Sequence, residues 1–124
     1  MIKDDQKEAM LKTFKSSLGS RFSYKDEEIE ELFNMVSDHG TNTYAFHSKA
    51  IEKTPSYLDK LKNIKTPTLI INGSEDPLIP IDHAFALSKG ISSSKLYVME
   101  GVGHELPEEL MEEISKRMLN NFYD

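Results

Sequence analysis

The run Pro67-Thr68-Leu69-Ile70-Ile71 constrains this chain more than any other feature. It is continuously apolar and β-branched, with proline at its start and dense turn chemistry, Asn72-Gly73-Ser74-Glu75-Asp76-Pro77, at its end. A strand with one wet face alternates polar and apolar residues; an unbroken run suits a strand covered on both faces, as in a parallel sheet. Downstream, residues 81–89 read as a helix ended by Gly90. Lys95-Leu96-Tyr97-Val98-Met99 reads as a second strand, and Gly101-Val102-Gly103 as a loop. Pro107 then opens a helix carrying Leu110, Met111, Ile114, Met118 and Phe122 on one face. Strand, helix, strand, helix is a βαβα unit with parallel strands.

The first 63 residues read differently. Met10, Phe14 and Leu18 recur every fourth position, with Gly19 as a stop. Ser23-Tyr24-Lys25-Asp26 resembles a capping box ahead of the stripe Ile29, Leu32, Phe33 and Val36, and Gly40 can supply a C-cap. A third helix is expected from Thr41 or Asn42 to Lys53, presenting Tyr44, His47, Ala50 and Ile51. Thr54-Pro55 breaks it, and a short helical turn follows from Ser56 to Leu61. The expected architecture is α/β: a helical half, 1–63, followed by the βαβα half, 64–124.

Composition removes several function classes. The net charge is −6 with no basic stripe, which disfavours nucleic acid as a partner. No apolar run approaches the roughly 18 residues of a membrane span, and the start Met1-Ile2-Lys3-Asp4-Asp5 lacks a signal-peptide core. With no cysteine there is no disulfide, thiolate nucleophile or cysteine-ligated metal. The spacing of His39 and His47 does not suit zinc, and no metal or cofactor is expected. The expectation is a soluble, cytoplasmic protein or a part of one.

Open α/β sheets place ligands beyond the carboxyl ends of their strands. Asp76 follows the first strand and His104 the second. If the strands are neighbours, the two side chains can meet, with the carboxylate fixing the imidazole tautomer and leaving one nitrogen as a general base. Taken singly, each has a plainer reading: Asp before Pro bonds its own turn, and a histidine after glycines is a loop residue. Glu75 and Glu105 read as solvated neighbours, with Glu75 as a fallback acid; His83 reads as surface, and the methionines as core packing.

The residues around these two positions also carry a resemblance. Ile64-Lys65-Thr66-Pro67-Thr68-Leu69-Ile70-Ile71-Asn72-Gly73-Ser74-Glu75-Asp76-Pro77-Leu78-Ile79-Pro80 resembles the acid-bearing segment of α/β-hydrolases, where a Pro-Thr-Leu strand leads to Gly-x-x-Asp and a proline. Glu100-Gly101-Val102-Gly103-His104-Glu105-Leu106-Pro107 resembles the family's histidine loop. Residues 42–61 are similar to the cap segment of esterase-like members, including the aclacinomycin methylesterase type. The resemblance implies that 1–63 are cap helices and 64–124 the last two strands and helices of the hydrolase core. It implies Asp76 and His104 as triad members.

The family's nucleophile sits on a Gly-x-Ser-x-Gly elbow upstream of the acid. These 124 residues contain none: Ser20 follows Gly19 but has Phe22 at the second glycine position, and Ser74 lies two residues from Asp76. The resemblance therefore implies the C-terminal portion of a truncated serine esterase or acyl hydrolase. It would act on a small ester-like substrate only when an N-terminal portion supplies the serine. The other expectation is a non-catalytic small domain that self-associates, or binds a partner, through an exposed sheet edge.

Overall fold

The computed structural model describes residues 4–37 and 44–123, with side chains from 8–35 and 49–123. Among the described residues five α-helices and two strands follow in order: α1 (Asp4–Ser17), α2 (Asp26–Ser37), α3 (Tyr44–Lys53), β1 (Thr68–Gly73), α4 (Ile81–Gly90), β2 (Ser94–Met99) and α5 (Met111–Phe122). Short 3₁₀ turns, Leu58–Asn63 and Glu108–Leu110, precede β1 and α5. The described residues form two compact units. One is drawn from Met1–Lys15 and Ser23–Ser56, the other from Ser16–Phe22 and Tyr57–Asp124.

Within the helical unit, the buried side chains of α2 are Ile29 and Phe33, and the Phe33 ring meets that of Phe14 edge-on at 6.3 Å. Leu32 of the expected stripe is exposed. The helix starts later than the Ser23 reading. Lys25 C=O accepts the first helical bond from Ile29 N–H, and Glu28 reaches back to Lys25 N–H at 2.9 Å. Lysine cannot accept, so only the glutamate half of a capping box forms. His39, the Gly40 cap and the Thr41 or Asn42 start lie outside the described residues, as do the side chains of Tyr44 and His47. The chain leaves α3 as expected, with Thr54 turned back onto Ala50 and Ile51 carbonyls ahead of Pro55.

In the other unit, β1 and β2 pair in parallel from Thr68↔Ser94 to Gly73↔Met99, with α4 between them in sequence. This is the α/β arrangement that the two apolar runs predict. The core lies where β2 and its following loop meet α5: Met99, Val102, Leu110 and Ile114 are buried together, and Phe22, Ile71 and Tyr97 pack against them. The Arg117 guanidinium lies 3.9 Å from the Tyr97 ring centroid and covers that ring.

Two expectations about packing fail. Of the stripe on α5, Leu110 and Ile114 are buried, whereas Met111, Met118 and Phe122 are exposed. A helix of 12 residues runs about 18 Å, and two strands about 5 Å apart cannot cover all of it. The methionines are likewise not a core set: Met99 is buried, but Met35, Met111 and Met118 are exposed. The turn after Pro55 is 3₁₀ and begins at Leu58 rather than Ser56; Leu61 from it fills the space beside Gly90. Pro107 precedes a 3₁₀ turn, not the first turn of α5.

Candidate active site

Because β1 and β2 are parallel and adjacent, the loops leaving their carboxyl ends emerge side by side. They are zipped together by backbone: Ser74 N–H donates to Met99 C=O at 3.0 Å and Glu75 N–H to Val102 C=O at 2.9 Å. Gly101 N–H donates to Ser74 Oγ at 2.8 Å. Within the first loop, Asn72 Nδ2 donates to the Gly73 and Ile79 carbonyls. These bonds fix where Asp76 and His104 stand.

His104 Nδ1 lies 2.8 Å from Asp76 Oδ2. An ionised carboxylate can only accept, so Nδ1 carries the proton and donates it. The other carboxylate oxygen, Oδ1, accepts from Leu78 and Ile79 N–H, each at 2.8 Å. One oxygen of Asp76 thus bonds its own turn, as the plainer reading expects, while the other meets the imidazole. The Asp76 side chain is 6% exposed and the His104 side chain 50%, so the acid is the buried, fixed partner and the imidazole reaches into solvent. With Nδ1 occupied, Nε2 is the nitrogen left for proton transfer. His104 and Asp76 both line an open depression of about 500 Å³ whose walls include Ile71, Ile79, Met99 and Leu106.

Burial works to raise the Asp76 pKa, but the Ile79 N–H, the His104 ring, the Leu78 N–H and the histidine's charge together outweigh it. The carboxyl sits below its ordinary 3.8. A carboxyl with a depressed folded pKa stabilises the fold above its unfolded value and loses that contribution as pH falls through the folded one. Stability is therefore expected to decline on acidification below about pH 3.8. The midpoint of urea unfolding in Asp76→Asn should be flatter over that window than in the parent. Equal slopes would remove Asp76 from the acid response.

Glu75 and Glu105 are not merely solvated. Glu75 accepts from Ser20 N–H at 2.8 Å and from the Ser20 hydroxyl at 2.7 Å. Glu105 accepts from Gly19 N–H at 3.0 Å. Neither Ser20 nor Ser74 bonds His104: the first serves Glu75, the second accepts from Gly101. His83 stands exposed in the first turn of α4, as expected. Among the described residues no cluster of three or more potential metal ligands occurs, and no helix is long and apolar enough to cross a membrane.

No protein-family model matches the chain. It is 34% identical over 93 residues to a 2-hydroxy-6-oxononadienedioate/2-hydroxy-6-oxononatrienedioate hydrolase of Pseudomonas putida, a match covering 68% of this chain and 33% of that protein. It is 30% identical over 91 residues to an AB hydrolase superfamily protein of Bacillus subtilis, covering 72% and 34%. The chain thus spans about a third of the length of the curated relatives it matches. Among solved structures, a serine hydrolase involved in carbazole degradation superposes with a TM-score of 0.72 at 20% identity, over 97% of this chain and 48% of that one. At that identity the likeness establishes fold alone. These relatives and neighbours are α/β-hydrolase family members, and the fold of this chain is that of part of an α/β-hydrolase.

Proposed function

We propose that this chain is the acid- and histidine-bearing part of a serine α/β-hydrolase acting on carboxylic esters or related acyl compounds. The observation that carries this reading is the bond between Asp76 and His104 at the carboxyl ends of two adjacent parallel strands, with both residues lining an open depression. The serine would come from an N-terminal portion, since no Gly-x-Ser-x-Gly occurs in these residues. His104 Nε2 then takes the serine's proton as its oxygen attacks the acyl carbon, and returns it to the leaving group. Asp76 holds the tautomer and stabilises the imidazolium. The helical segment corresponds to the cap helices of esterase-like members. Relatives named for hydrolysis of 2-hydroxy-6-oxo dicarboxylates make those acids assay substrates alongside esters.

The test is labelling with a serine-directed fluorophosphonate. The chain by itself should not react. Fused behind an N-terminal hydrolase portion bearing the elbow, it should support labelling of the elbow serine, and His104→Ala should abolish that labelling. Labelling of the chain alone at Ser20 or Ser74 would overturn the reading. A second, non-catalytic reading draws on β1: among the described residues it pairs only with β2, leaving its other edge free of a strand. Such an edge is adhesive. Absence of labelling with any N-terminal portion, together with a sedimenting dimer, would favour self-association as the function.

A further inference from the structure

The two catalytic loops carry a third element between them. Residues 17–22, running from the last residue of α1 into its connection to α2, belong to the compact unit of the sheet. Their backbone meets both loops. Ser17 C=O accepts the backbone N–H of His104 itself at 2.7 Å, and Arg21 N–H donates to Gly101 C=O at 2.8 Å. Gly19 and Ser20 are consecutive, yet their N–H groups go to different loops: Gly19 to Glu105 and Ser20 to Glu75. Each of those carboxylates is the immediate sequence neighbour of a triad residue, Glu75 before Asp76 and Glu105 after His104. Phe22, at the end of the segment, packs against the buried Met99–Val102–Leu110–Ile114 cluster and anchors it.

We infer that residues 17–22 are a brace for the histidine, and that Glu75 and Glu105 are positioning residues that lock it across the acid and histidine loops. This rests on the reading of Asp76 and His104 as the catalytic pair. The physical need is plain. The His104 side chain is half exposed, and among the described residues its side-chain bond is to Asp76. A single bond fixes a distance but leaves the loop carrying the ring free to shift, and a misplacement of about 1 Å can cost roughly a hundredfold in rate. The brace adds a bond to the His104 backbone and a bridge, Glu75–Ser20–Gly19–Glu105, that ties one loop to the other. Charge-assisted bonds of this kind are the stronger sort.

Nuclear magnetic resonance of the full chain tests this without any hydrolytic assay. In Glu75→Ala/Glu105→Ala, amide exchange at Gly19, Ser20 and His104 should rise about tenfold, the loss of roughly one charged hydrogen bond's worth of protection. The His104 Nδ1–H resonance should broaden, while the strand amides of Ile70 and Leu96 keep their protection. Asp76→Asn should instead alter the ring resonance and leave the brace amides protected, which separates a failure of the brace from a failure of the pair. Ser20→Ala removes one hydroxyl and no charge. If the double variant does not fold, a rise of about twofold at His104 in Ser20→Ala carries the test. Freed Gly19 and Ser20 amides with an unchanged His104 amide and ring would overturn the proposal, as would no rise in Ser20→Ala. Turnover enters neither readout, so an inactive fused enzyme would count against the proposed function alone.

Discussion

His104→Ala, introduced into the chain fused behind an elbow-bearing N-terminal portion, is expected to lower kcat on an activated ester by about 10⁶-fold, and Asp76→Asn by about 10⁴-fold. The order follows from the geometry. His104 lines the open depression, and its Nε2 would handle the proton directly, so nothing replaces it. Asp76 acts through the ring: its Oδ2 sets the tautomer, and asparagine in that place can present an N–H to Nδ1 and move the ring proton to Nε2, where a base is needed. The Asp76→Asn backbone should hold, because the side-chain oxygen can still accept from Leu78 and Ile79. Losses should therefore fall on kcat far more than on KM. Equal, small losses in both variants would mean that another group does the proton transfer. Single-turnover kinetics on the fused enzyme makes the measurement.

What the sequence discloses and what it hides follow one physical line. Thr68-Leu69-Ile70-Ile71 announces a parallel-sheet strand because it leaves no polar position, and β1 forms there; of the run only Ile70 is buried, while Leu69 and Ile71 are half-buried, so the covering of both faces that the run suggests is incomplete in these residues. Asp76 and His104 are legible for a related reason: parallel pairing fixes which ends of the strands lie together, so position after a strand predicts position in space. The brace is invisible at that level. Glu75 and Glu105 accept mainly from backbone N–H groups of Gly19 and Ser20, and a backbone donor has no sequence identity for a partner to match. Charged side chains beside a turn read as solvated unless something distant needs an acceptor. The apolar stripe on α5 misleads in the opposite direction. Period alone marks Met118 and Phe122 for burial, but coverage depends on how wide a sheet lies beneath, and two strands are narrow. Met118, Leu119 and Phe122 therefore stay exposed.

Gly103→Ala is expected to destabilise the sheet unit by about 3 kcal/mol or more, an unusually large cost for one methyl group. The reason is how closely two stretches of backbone cross. A Cβ on Gly103 would run into Ser17 O and come within 2.7 Å of Gly19 N and Leu18 C. A Cβ on Gly19 would in turn strike Gly101 O and come within 2.5 Å of Gly103 N. Each glycine thus faces main chain, which cannot rotate aside as a side chain can. Moving the 17–22 segment away to make room would break the bond from His104 N–H to Ser17 C=O and pull Gly19 N–H from Glu105. Gly90 supplies the contrast. The nearest atoms to its added Cβ would be those of the Leu61 side chain, 2.6 Å from Cδ1 and 2.8 Å from Cβ, and Gly90 is the last residue of α4. There the leucine can change rotamer in part, and alanine's better helix propensity returns about 0.5–1 kcal/mol. Gly90→Ala should therefore cost clearly less than Gly103→Ala or Gly19→Ala. Urea unfolding of the three variants, followed by exchange of the β1 and β2 amides so that the sheet unit is read directly, makes the comparison. Equal losses at all three glycines would mean that the crossing of residues 17–19 over 101–103 is looser than these distances, and that the brace has room to slide.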